Sequence, residues 1–126
     1  MNEYLAKLKG LGADWERSSY GDDIAGYLEQ LELFVMSMDF MRLGQAISRE
    51  QWQAASMKAV KMGKKAEELG LTGWEKQFTG IKQNVNRRNR EEAQQILALL
   101  IAKRVKMIHF LKENKTNSKE SGESYV

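Results

Sequence analysis

The stretch Trp52–Gly70, WQAASMKAVKMGKKAEELG, decides how this chain folds. Trp52, Ala55, Ala59, Met62, Ala66 and Leu69 recur every three or four residues. On a helix that spacing gathers them into one narrow apolar stripe. Lys58, Lys61, Lys64 and Lys65 fall outside the stripe, as residues of a solvated face do. Gly70 supplies the left-handed residue on which a helix commonly stops. The segment therefore reads as an amphipathic helix over about Arg49–Leu69.

The same pattern repeats on both sides. Trp74, Phe78, Ile81 and Val85 mark a helix over about Gly73–Arg88. Ala93, Ile96, Leu97, Leu100, Ile101, Val105 and Ile108 mark another over about Arg90–Glu113. Upstream, one long helix is expected over about Asp23–Ile47. It carries two stripes: Ile24, Leu28, Leu31, Val35 and Met38, and Leu33, Met36, Phe40, Leu43 and Ile47. A short first helix over about 2–9 ends at Gly10 and Gly12, and residues 12–21 are irregular. Ser48 with Gln51, Thr72 with Glu75, and Asn89 with Glu92 have capping-box spacing, and Asp22 or Asp23 suits a further N-cap. Short links make neighbouring helices antiparallel. The expected fold is all-α: an antiparallel four-helix bundle with a short extra N-terminal helix. It occupies residues 1–114 as a single domain, followed by a polar, disordered tail at 115–126.

Composition agrees with that class. The chain has 126 residues, one domain's worth, with no proline and no cysteine. The missing cysteines rule out disulfides, thiolate zinc sites and iron–sulfur clusters. Neither a basic segment leading into an apolar run nor an 18-residue uncharged apolar span occurs, so no signal peptide or membrane helix is expected and the cytoplasm is the default location. A net charge of +3 is too small to imply nucleic acid.

The search for catalytic chemistry comes back empty. His109 is the only histidine and stands near the end of the last helix, where it reads as a helix-end residue. No phosphate-binding glycine loop, nucleophile elbow or kinase motif is present. Asp22 and Asp23 are adjacent, but a cap with a dipole-complementing neighbour explains them better than an acid–base pair. No enzymatic activity, cofactor or metal is expected. Met36, Met38 and Met41 read as core filler, and Arg87, Arg88 and Arg90 cluster at the last turn beside Asn86 and Asn89.

From about Tyr27 to Ala98 the chain resembles the histidine phosphotransfer (HPt) domains of bacterial phosphorelays. Trp52 takes that family's tryptophan-like place, Ala59 precedes the key position, Met62 takes its leucine, and Leu69-Gly70 its terminal pair. Trp74 and Phe78 match core places, and Asn86–Asn89 fills its polar turn. The position of the phosphate-accepting histidine, ten residues before Gly70, is Val60. The lysine and glycine that normally follow stand in reversed order, as Gly63 and Lys64.

At about 100° per residue, Val60 lies roughly 130° from the centre of the stripe, towards solvent. Ser56, Met57, Lys61, Gly63 and Lys64 surround it. Valine offers no nucleophile. The resemblance therefore implies the family's fold and its protein partner, a receiver domain or histidine kinase module, without phosphate transfer. A small apolar patch with lysines beside it complements the carboxylate-rimmed pocket of a receiver. A homodimerising scaffold, sealed by one stripe of the second helix, is the alternative reading. Neither nucleic acid nor membrane is expected as a partner.

Overall fold

The computed structural model describes the backbone of residues 2–123 and the side chains of residues 3–114. The chain is all-helical: α1 (Asn2–Gly10), a 3-10 turn (Trp15–Arg17), α2 (Ile24–Val35), α3 (Asp39–Ser48), α4 (Trp52–Glu68), α5 (Trp74–Asn86) and α6 (Arg90–Glu123). There is no strand among the described residues, only one antiparallel bridge between Ala13 and Leu71. α6 is bounded at Glu123 rather than near Glu113. The side chains of the tail expected at 115–126 lie outside the described residues.

The stripes read from the sequence form the core of α4 and α5. Ala55, Ala59, Met62, Ala66 and Leu69 are buried, as are Trp74, Phe78, Ile81 and Val85, while Trp52 is half-buried. Phe34, Phe40, Trp74 and Phe78 meet in one aromatic cluster, with ring centroids 5.5–6.4 Å apart. Such tilted and edge-on contacts favour the ring quadrupoles. The alanines on α4 bring it close to α5: a Cβ on Gly63 would stand 3.2 Å from Phe78 Cβ.

The long helix expected over 23–47 is two helices. The chain breaks at Met36–Met38. Ser37 Oγ accepts from the Asp39 amide at 3.0 Å, one residue ahead of Met38, which precedes α3 without a side-chain cap. Arg104 of α6 donates to the carbonyls of Val35 and Ser37, and its guanidinium lies 5.1 Å from the Phe40 ring centroid. The freed carbonyls of the break are thus satisfied by a distant charged donor. The break also divides the expected second stripe: Phe40, Leu43 and Ile47 are buried, whereas Leu33 and Met36 are exposed. Met38 and Met41 are exposed too, so these methionines do not fill the core.

Two of the expected caps stand and two do not. Asp23 Oδ1 accepts from the Gly26 amide at 2.9 Å, and Asn89 Oδ1 from the Glu92 amide at 3.4 Å. Ser48 instead ends α3 and accepts from Gln94 of α6. Thr72 turns back to Gly70 O, leaving Gly73, at φ +87°, as the residue before α5.

The N-terminal arm straps the α4–α5 link. The Asp14 amide donates to Gly70 O at 2.9 Å and the Thr72 amide to Gly12 O at 2.7 Å. The Ser19 amide reaches Glu68 O at 2.9 Å, and the Tyr27 hydroxyl donates to Leu69 O at 2.9 Å. Gly70 has φ +63°, and any Cβ there would lie 2.1 Å from Asp14 O. Only glycine fits both the conformation and the space.

Candidate functional site

α4 positions the sequence-derived candidates because its buried alanines fix which side faces outward. Met57 is 66% exposed and Val60 37%, and Lys61 and Lys64 are exposed beside them. Ser56 and Gly63 are half-buried at the margins. All six residues thus lie on or at the edge of one outward surface. The other two lysines of α4 serve the fold. Lys58 Nζ pairs with Asp39 Oδ1 at 2.9 Å, and Lys65 Nζ with Glu68 at 3.6 Å. Lys65 also donates to Gln30 and to the Tyr20 hydroxyl, both at 3.4 Å.

Val60 does not stand on an open dome. It forms one wall of a cleft of about 220 Å³ between α4 and α5, with Lys64, Glu67, Glu75, Thr79 and Lys82 among its lining. Gly63 against Phe78 forms the floor, because the absent side chain lets the helices approach. Lys64 and Lys82 give the Val60 end a positive character. Glu67 and Glu75 make the end nearer Gly70 negative. Met57 continues the apolar surface the other way, into a shallow depression with Gln51, Trp52, Gln53 and Ala54.

The sequence reading missed the α5 half of this cleft. Glu75, Thr79 and Lys82 follow each other at four and three residues, beside the buried Phe78 stripe. That spacing was visible, but nothing local says that this flank of α5 meets α4.

Val60 carries no lone pair, and the Thr79 hydroxyl is engaged in donating to Glu75 O at 2.9 Å. His109 is on α6, where Nε2 stands 3.5 Å from Glu113 Oε1. Asp39, below α4, has its carboxyl held below the usual range, first by the hydrogen bond from Lys58, against the opposing effect of its own burial. Among the described residues no group of three or more histidines and carboxylates could hold a metal ion. Among the described residues no helix is long and apolar enough to cross a membrane.

Comparison with family models, with curated proteins and with solved structures gave no match.

Proposed function

We propose that this chain is an HPt-like binding module that docks a receiver domain, or a kinase module, of a two-component system without passing phosphate. In this reading α2 with α3, α4, α5 and α6 are the four antiparallel members of the bundle, and α1 is the extra helix. Supporting it are the small-residue stripe of α4, the tight Gly63–Phe78 approach and the strap over Leu69-Gly70.

One observation carries the proposal: Val60 faces outward at the middle of α4, flanked by Met57, Lys61 and Lys64. An apolar centre with a charged rim is the usual anatomy of a protein-docking patch. Valine in place of an imidazole keeps a surface of similar size but removes the phosphate acceptor. The lysine-rich end of the cleft suits an acidic partner surface and would speed its encounter.

The test is an NMR titration of the isotopically labelled chain with receiver domains from the same organism. Amide shifts confined to 56–64 and the facing flank of α5, unchanged by phosphorylating the chain's partner, support the proposal. No shift on that face with any receiver or kinase module overturns it.

A further inference from the structure

The apolar residues of α6 do not all face the core. Ala93, Leu97, Leu100, Met107 and Leu111 are buried, but Ile101 is 36% and Val105 56% exposed. The reason is geometric. At about 100° per residue, Ile101 lies roughly 85° and Val105 roughly 125° from the centre of the buried stripe.

These two belong to a second stripe of α6: Glu91, Gln94, Ala98, Ile101, Val105, Ile108 and Lys112, repeating at three and four residues. From Ala93 to Ala102 the helix carries no charged residue on any side. A surface helix that is uncharged all round is ordinarily covered. Its flank on α3 is apolar as well. The contacts Ser48–Gln94, Gly44–Leu97 and Ser37–Arg104 set α3 antiparallel to α6. That register brings Met41 beside Ile101 and Met38 beside Val105. Both methionines are about half exposed.

We infer that a second copy of this chain covers the stripe, its α6 running antiparallel across a two-fold axis between Ile101 and Ala102. Under that rotation four of the seven stripe residues exchange in pairs, and Ile101 meets Ala102 of the other copy. Ala98 meets Val105 of the other copy, a small residue against a larger one. Glu91, at the start of the stripe, meets Lys112 at its end, so both ends of the contact join opposite charges. A two-fold contact requires this self-complementarity, and an unrelated partner does not. Parallel pairing would set Glu91 against Glu91 and Lys112 against Lys112. The stripe from Glu91 to Lys112 is about 32 Å long. Met38 and Met41 beside it widen the contact towards the ~800 Å² per partner that stable interfaces bury. It leaves the Val60 face of α4 uncovered, so the inference stands independently of the proposed docking function.

The chain has no cysteine, so single-cysteine variants report the geometry directly. Sedimentation equilibrium of the full chain should give twice the mass of one chain, and a monomer across the micromolar range overturns the inference. Under mild oxidation Ile101→Cys should cross-link to itself. Glu91→Cys should cross-link in mixtures with Lys112→Cys and not with itself, and self-cross-linking of Glu91→Cys overturns the antiparallel arrangement. Val105→Glu should weaken self-association at least tenfold with an unchanged far-UV spectrum, and undiminished association overturns the assignment of the stripe. If Val105→Glu does not fold, the exposed pair replaces it: Glu91→Lys weakens association and Lys112→Glu in the same chain restores it. Failure of the double variant to restore association also overturns the inference.

Discussion

Lys58 Nζ lies 2.9 Å from Asp39 Oδ1 and so ties the middle of α4 to the first turn of α3. Each side chain is more than two-thirds buried. Asp39 also draws on the positive end of α3 and on Arg42, 3.8 Å away. The pair sits one residue from Met57, so it holds the candidate docking face in place from behind.

Lys58→Met should therefore raise the Asp39 carboxyl towards its ordinary range, read by carbon NMR of the side chain. The sign of the pH effect follows from the lowered value in the folded state. The stabilisation is present above the unfolded carboxylate range, near pH 4, and is lost as pH falls through the lower folded value. The variant should lose about 1 kcal/mol at neutral pH. Its deficit against the parent should vanish under strongly acidic conditions.

Val60→Asp places a negative charge at the centre of the docking face. Binding to an acidic partner should weaken by at least a factor of about ten, or 1.4 kcal/mol, in calorimetric titration. Stability should change by less than about 1 kcal/mol, because the position is exposed. Lys58→Gln, by contrast, should affect stability more than affinity.

Gly70→Ala should be among the most disruptive single substitutions in the chain. It combines a left-handed backbone with a Cβ 2.1 Å from Asp14 O. A loss of about 3 kcal/mol is expected, read from the urea midpoint. Gly10→Ala, where an added Cβ meets nothing within 4 Å, provides the control.

Arg104→Met removes the donors to Val35 and Ser37 and the cation over Phe40. The expected cost is about 2 kcal/mol in thermal unfolding. Arg104→Lys should recover little, since one ammonium cannot reproduce the planar fork. Amide exchange should accelerate first at the end of α2.

Tyr27 provides an alkaline counterpart to Asp39. Burial first, and then the charge of Asp14, push its phenol well above the usual range. A folded value raised above the unfolded one gives stability that is complete below about pH 10 and is lost as pH rises further. Tyr27→Phe should flatten that alkaline loss in denaturant titrations. At neutral pH it should cost about 1–2 kcal/mol, because Leu69 O loses its donor.

The sequence made the buried faces of α4 and α5 legible because helical spacing is backbone geometry and needs no partner. Ala55, Ala59, Met62 and Ala66 follow from it directly. The break at Ser37 was not legible: its carbonyls are satisfied by Arg104, 67 residues away. The caps at Ser48 and Thr72 misled for a related reason, since each side chain had another group to bond. The outward set around Val60 was readable from α4 alone. Its cleft was not, because Glu75, Thr79 and Lys82 enter the site only through the pairing of α4 with α5. Ile101 and Val105 look like core residues in any one-dimensional pattern, and only the packing of α6 separates them from Leu97 and Leu100.

The strap between the N-terminal arm and the α4–α5 link also sets the order in which the chain can acquire its structure. Tyr27 and Leu69 are 42 residues apart, and Ser19 and Glu68 are 49 apart. Individual helices form within about a microsecond, but closing so long a loop costs chain entropy before any contact returns it. Assembly should thus wait on this closure. On the ribosome, α1 and the 3-10 turn have no seat until the link at Gly70 has emerged, so this arm is made before the link and settles after it.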